Sequence, residues 1–174
     1  AKGLLKAAIW DDDPVIIMES EQMYGDKMEI PEGEYIIPIG VADIKREGTD
    51  VTVVSFGKII KEAYKAAEEL EKEGISIEII DLRTVRPLDH DAILKSVKKT
   101  NRLIILEEAW PFGNVSTEIT YRIQEEAFDY LDAPIKRINT ADTPAPYSPV
   151  LFEKWIPNAS DVVKAVKEVM YIKS

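Results

Sequence analysis

The sequence predicts an α/β fold: a three-layer αβα sandwich around a mostly parallel, five-stranded sheet with one antiparallel strand. Three observations lead there. From residue 41 onward, short apolar runs alternate with amphipathic segments of helical length, the rhythm of βαβ units. The runs Val51–Ser55, Ile75–Ile80 and Leu103–Leu106 are largely apolar, as strands covered on both faces are. Glu47-Gly48-Thr49-Asp50 separates Val41–Lys45 from Val51–Ser55 and reads as a hairpin turn, which supplies the antiparallel strand.

Taken in order, Leu4, Leu5, Ala8 and Ile9 recur at helical spacing and predict a core-facing first helix. Pro14–Met18 is an unbroken apolar run, read as a buried strand. Glu19–Gly40 holds glycines at 25, 33 and 40 and prolines at 31 and 38 with no period, and reads as a long connection. Ile60, Ala63, Tyr64, Ala67 and Leu70 mark a helix that stops at Gly74. Asp89–Lys99 is a helix capped by Asp89, and Asn114–Phe128 another. Ile135–Ile138 is a strand, followed by a loop with Pro144, Pro146 and Pro149. The last helix, Ser160–Tyr171, carries Val162, Val166 and Val169 on one face. A chain that opens inside a core-facing helix reads as part of something longer.

Composition narrows the chemistry. The 174 residues carry 22 Lys+Arg against 32 Asp+Glu, a net charge of −10 that disfavours a nucleic-acid surface. No apolar run of about 18 residues is present to span a membrane. The absence of cysteine excludes disulfides, Cys-bound zinc and thiol nucleophiles, and one histidine is too few for a His-rich metal site. Neither Val54-Ser55-Phe56-Gly57-Lys58 nor Phe112-Gly113-Asn114 has the repeated glycines of a phosphate loop.

Five groups remain as candidates. His90 lies between Asp89 and Asp91 and reads as an exposed first-turn residue. Arg83 and Arg86 follow a strand's carboxyl end, where they clamp an anion or tie down the loop and a neighbour, the second reading being favoured. Glu107 and Glu108 are adjacent on an extended segment and therefore point apart, which argues against a catalytic pair. Trp110-Pro111-Phe112 reads as an interface. Asp11-Asp12-Asp13 follows a helix end that already carries about half a negative charge. A solvated acidic turn leads there, with a cation among the oxygens of Ala8, Ile9, Asp11 and Asp13 as the alternative.

Together these segments resemble one family. Ala1–Ile9 with Asp11 and Asp13-Pro14-Val15, Glu19–Gly25, Ile37–Gly40, Asp81–Pro87, Leu131–Pro134, Ala141–Pro144 with Pro146-Tyr147, and Trp155-Ile156-Pro157 are similar, in order and spacing, to the β subunits of pyruvate dehydrogenase. The resemblance implies a remnant of an N-terminal pyrimidine-binding domain over 1–18, an interdomain connection over 19–40, and a transketolase C-terminal-like domain over 41–174. It implies thiamine diphosphate as cofactor, with the activating glutamate and the active-site histidine outside this chain; His90 does not match that histidine's motif. Mg²⁺ is implied to be held through the α subunit. A structural K⁺ site falls on Ala8, Ile9, Asp11 and Asp13, where Asp13 replaces the usual Asn. The implied partners are the pyruvate dehydrogenase α subunit, a second β subunit in an α2β2 heterotetramer, and the dihydrolipoyl acetyltransferase core; nucleic acid and membrane are not among them. The implied role is assembly and docking within an oxidoreductase that makes acetyl-CoA downstream of glycolysis, the fragment itself being inactive. The branched-chain 2-oxo acid dehydrogenase β subunit and a stand-alone, non-catalytic binding module are the alternatives. Zero cysteines and the acidic balance suit a bacterial-type cytoplasm, with mitochondrial matrix or plastid as alternatives.

Overall fold

The computed structural model describes residues 1–172. Its five strands are β1 (Asp43–Arg46), β2 (Val51–Ser55), β3 (Ile77–Asp81), β4 (Leu103–Leu106) and β5 (Lys136–Ile138), arranged β1-β3-β2-β4-β5. All neighbours are parallel except β1 and β3, so the mixed sheet expected from the sequence is the sheet observed.

Alternation along each strand sorts the two covering layers. Val51, Val53, Ile77, Ile79, Ile104 and Leu106 face α2 (Ile60–Glu71) and α6 (Ala159–Val169), which bury Ala63, Ala67, Leu70, Val162 and Val166 against them. Val54, Ile80, Leu103 and Ile105 face α3 (His90–Thr100) and α4 (Val115–Ala127) through Ile93, Val97, Ile119 and Ile123. The helices start where the sequence marks them. Asp89 accepts the Ala92 N–H at 3.1 Å, Asn114 the Thr117 N–H at 3.2 Å, and Asn158 with Asp161 forms a capping box. No helix among the described residues is long and apolar enough to cross a membrane.

Three expectations are corrected. First, β1 and β2 are not a hairpin: β3 lies between them, with Asp43 opposite Asp81. The polar strand Asp-Ile-Lys-Arg takes the sheet edge, while Val51–Ser55, buried at every position, takes the centre. The connecting loop crosses the start of β3, where the Thr49 and Asp50 N–H groups donate to the Ser76 carbonyl at 3.2 and 2.9 Å. Gly48 is obligatory at the crossing, since a Cβ there would lie 2.2 Å from the Ile77 carbonyl carbon. Second, Pro14–Met18 forms no strand and is exposed, Ile16 at 88% and Met18 at 91%, because no sheet edge of the described residues runs beside it. Third, α1 (Lys2–Ile9) buries Gly3 alone: Tyr35 and Ile37 cross that glycine, leaving Leu5 and Ile9 exposed. An unexpected helix, α5 (Pro149–Trp155), forms in the Pro-rich loop with Pro149 in its first turn, where a missing N–H costs nothing.

One buried polar network crosses the sheet near its amino edge. The Glu78 carboxylate, 1% exposed, accepts the Ser96 hydroxyl at 2.5 Å, the Gly48 N–H at 3.3 Å and the Lys99 ammonium. Ser96 and Thr100 also share hydrogen bonds with Thr52 at 2.6 and 2.7 Å. Burial pushes the Glu78 pKa up, but the hydrogen bonds from Lys99, Ser96 and Gly48 outweigh it and hold the carboxyl below its usual range.

Candidate functional site at the carboxyl edge of the sheet

β2 and β4 are neighbours whose following helices, α2 and α4, cover opposite faces. Their carboxyl ends therefore flank the topological switch point, the usual ligand crevice of an open α/β sheet. Here the chain's own side chains occupy its mouth. Lys58 pairs with Glu108 at 2.9 Å, donates to Gln22 Oε1 at 3.1 Å, and sits 5.9 Å from the Phe152 ring centroid. Lys61 adds an ion pair to Asp26 at 2.5 Å, so two lysines at the start of α2 fasten the connection over the crevice.

The paired residues of the sequence separate in space. Glu107 is fully buried and accepts the Ser116 N–H of α4 at 3.3 Å and the Asn139 amide at 2.8 Å, whereas Glu108 turns outward to Lys58. Arg83, at φ +56°, turns back to Asp43 on the edge strand, while Arg86 projects into solvent. Arg83 thus ties down the loop, as favoured from the sequence, and Arg86 does not. Beside it, burial pushes the Asp81 carboxyl above its usual range, against the opposing pull of the Arg83 N–H and the Lys45 charge. Burial, followed by the Asp81 and Asp43 charges, raises the Tyr64 phenol.

His90 corrects its expectation. Its side chain is 11% exposed rather than open, tucked between α3 and α4 with Nε2 3.1 Å from Glu126 Oε1. Neither ring nitrogen has a hydrogen bond of good geometry, and its nearest charged neighbour is the Glu126 carboxylate.

The expected interface is the most developed feature of this edge. Phe112 is 89% exposed and Tyr147 fully exposed, with Trp110, Val150 and Leu151 more than half exposed. The loops that carry them are held firmly. Trp110 and Trp155 both donate indole N–H groups to the Thr143 carbonyl, and Arg137 donates to the Pro111 carbonyl at 3.0 Å and to Thr117 at 3.1 Å. Large apolar side chains exposed together on an acidic chain are what a partner surface would cover. Val150 and Leu151 escaped sequence reading because the prolines around them read as loop.

The acidic turn is equally accessible. Asp11 Oδ1 accepts the Asp13 N–H at 3.0 Å, and α1 ends at Ile9 with no backbone N–H beyond it donating to Ala8 or Ile9. Among the described residues no group of three or more His, Cys, Asp or Glu side chains is disposed to hold a metal ion.

Residues 40–162 match the family described as "Transketolase, C-terminal domain". The chain is 52% identical over 172 residues to the pyruvate dehydrogenase E1 component subunit beta of Rhizobium meliloti (strain 1021), covering 98% of this chain and 37% of that protein. It is 48% identical over 170 residues to the acetoin:2,6-dichlorophenolindophenol oxidoreductase subunit beta of Bacillus subtilis (strain 168), covering 98% and 50%. It is 47% identical over 175 residues to the mitochondrial pyruvate dehydrogenase E1 component subunit beta-1 of Oryza sativa subsp. japonica, covering 98% and 47%. The chain thus spans half or less of the length of these three relatives. Among solved structures, a split gene transketolase described as an inactive beta4 tetramer superposes with a TM-score of 0.72 at 27% identity, over 84% of this chain and 48% of that one.

Proposed function

The chain belongs to the transketolase C-terminal domain family, and from that premise we propose that it is the carboxyl-terminal part of a pyruvate dehydrogenase β subunit, serving assembly and docking. The observation that carries the reading is the identity to such a subunit over nearly the whole chain, in a molecule whose carboxyl edge presents Phe112 and Tyr147 for burial by a partner. The partners proposed are the α subunit, a second β subunit in an α2β2 arrangement, and the acyltransferase core. Residues 1–18 belong, on this reading, to a preceding pyrimidine-binding domain, and 19–40 are the connection. A bacterial relative and a mitochondrial one frame the compartment, and we favour a bacterial-type cytoplasm.

Thiamine diphosphate supplies carbanion-stabilising chemistry for the loss of CO₂ from a 2-oxo acid. The residues present do not fit the role of activating it. The buried carboxylates, Glu78 and Glu107, are committed to Ser96, Lys99 and Gly48, and to Ser116 and Asn139, leaving neither free to exchange a proton with a cofactor ring. Mg²⁺ belongs with the α subunit, and no catalytic step is assigned to this chain. Potassium is proposed at Ala8, Ile9, Asp11 and Asp13, supported by free carbonyls and carboxylates at the exposed helix end.

The test is reconstitution. The chain alone is expected to show no pyruvate-dependent dye reduction, and the β subunit that contains it to co-elute with the α subunit and acquire that activity. Turnover by the chain alone, or a β subunit that stays separate from α, overturns the proposal. The Bacillus relative favours a second reading, an acetoin-type enzyme, which a preference of the reconstituted enzyme for acetoin over pyruvate would establish.

A further inference from the structure

The sequence sets Arg83 beside Arg86, but the structure pairs Arg86 with a different arginine. Between the loop that follows β3 and the start of α4 runs an open groove of about 690 Å³ with Arg86 on one wall and Arg122 on the other. Its apolar surface comes from Val85, Pro87, Leu88 and Val115. Asn114 and Glu118 also line it, and Glu118 is already engaged by Arg122 at 2.6 Å. No hydrogen bond or ion pair within the described residues engages the Arg86 guanidinium, although the chain holds ten more acidic than basic residues, 32 against 22. A free cation is thus retained at the groove by a molecule with a surplus of carboxylates to neutralise it.

The wall that presents Arg86 is preformed. The Thr84 hydroxyl donates to the Pro87 carbonyl at 3.0 Å and accepts the Gly40 N–H at 3.0 Å, closing the loop on itself and on the connection. Gly40 is needed there, at φ +80°, because a Cβ would meet Pro87 Cγ at 2.8 Å. An unpaired guanidinium on a tied-down loop, beside a strip of aliphatic carbon, suits an extended segment that alternates carboxylate and apolar side chains: the guanidinium takes the carboxylate in a fork, and the strip takes the neighbours.

We propose that this groove docks an acidic, apolar-interspersed peptide segment of a partner protein, with Arg86 as its carboxylate anchor. Gly113 and Asn114 of its lining directly follow the exposed Phe112, so the groove borders the aromatic face.

A fluorescein-labelled peptide of alternating Glu and Leu residues, titrated into the chain, tests it by anisotropy. The expected result is saturable binding that weakens with salt, falls at least tenfold in Arg86→Glu, which removes one charge-assisted contact and sets a like charge in its place, and is absent for the Lys-for-Glu peptide. Amide shifts in the wild-type chain provide a second readout that needs no variant: Gly113, Asn114 and Val115 should move on peptide addition, and the Asp11–Asp13 turn should not. No binding, equal binding of the Lys peptide, unchanged affinity in a folded Arg86→Glu chain, or shifts confined elsewhere would overturn the proposal. Free glutarate competing as well as the peptide would make this a small-carboxylate site and equally defeat the docking assignment.

Discussion

Trp110 and Trp155, on opposite sides of the loop after β5, donate their indole N–H groups to one acceptor, the Thr143 carbonyl, at 3.0 and 2.8 Å. One oxygen with two lone pairs thus joins the loop after β4, the end of α5 and the strap that carries Tyr147. Within α5, Phe152 packs against Trp155 with ring centroids 5.5 Å apart and planes tilted by 34°. This convergence ties together the segments that carry the apolar face.

Replacing either tryptophan by phenylalanine leaves the other hydrogen bond in place, so each single variant should lose about 0.5 kcal/mol. The double variant should lose about 1 kcal/mol, the sum of the two, because water can take the place of both indoles at the exposed Thr143 carbonyl. Urea unfolding of the four chains measures this, and a loss well beyond the sum would show that the carbonyl is shut off from water.

Gly48→Ala should be among the most damaging changes in the chain. Its Cβ would press on β3 backbone rather than on a side chain that can move, so a loss of about 3 kcal/mol or failure to fold is expected. Gly25→Ala is the contrasting case. Nothing lies within 4 Å of its Cβ, and thermal melting should change little or rise.

Acid should act on two carboxyls of β3 in opposite senses. Glu78 is held below its unfolded value, so its stabilisation is full above about pH 4.5 and is lost as pH falls through the lower folded value. Asp81 is held above its unfolded value, so its ionisation weakens the fold at neutral pH, and protonation relieves this as pH falls towards the unfolded value of 3.8. Glu78→Gln should therefore cost about 2 kcal/mol at pH 7 and much less at pH 3, while Asp81→Asn should be neutral to stabilising at pH 7. Denaturant midpoints at both pH values decide it; equal losses for Glu78→Gln would contradict the assignment.

Potassium should raise the melting temperature by about 3 °C over choline at equal ionic strength if the helix-end oxygens hold it. Asp11→Ala should abolish the difference. Identical melts of the wild-type chain in the two salts would remove the ion from Ala8, Ile9, Asp11 and Asp13.

Much of the architecture was legible because periodicity and capping are local. Val162, Val166 and Val169 announced the buried face of α6, Asp89 and Asn114 announced two helix starts, and the apolar run Leu103–Leu106 announced a strand covered on both sides. The hairpin reading failed because Glu47–Asp50 is a competent turn in isolation, and nothing local says that β3 will enter between the strands it joins. Pro14–Met18 failed for a related reason: an apolar run specifies what must be covered, but not which element covers it.

The sequence by itself determined the five strands and most of the helices, though not α5, together with the αβα layering, the shortage of metal-binding and nucleophilic side chains, and the resemblance that the family match supports. Only the tertiary structure decided that Arg83 turns to Asp43 while Arg86 faces Arg122 across a groove, that Glu107 is buried while Glu108 meets Lys58, and that two tryptophans share one carbonyl. The reason is range. Dihedral preference, side-chain period and capping act over a few neighbouring residues, whereas these pairings join positions that meet only after the sheet order β1-β3-β2-β4-β5 has formed.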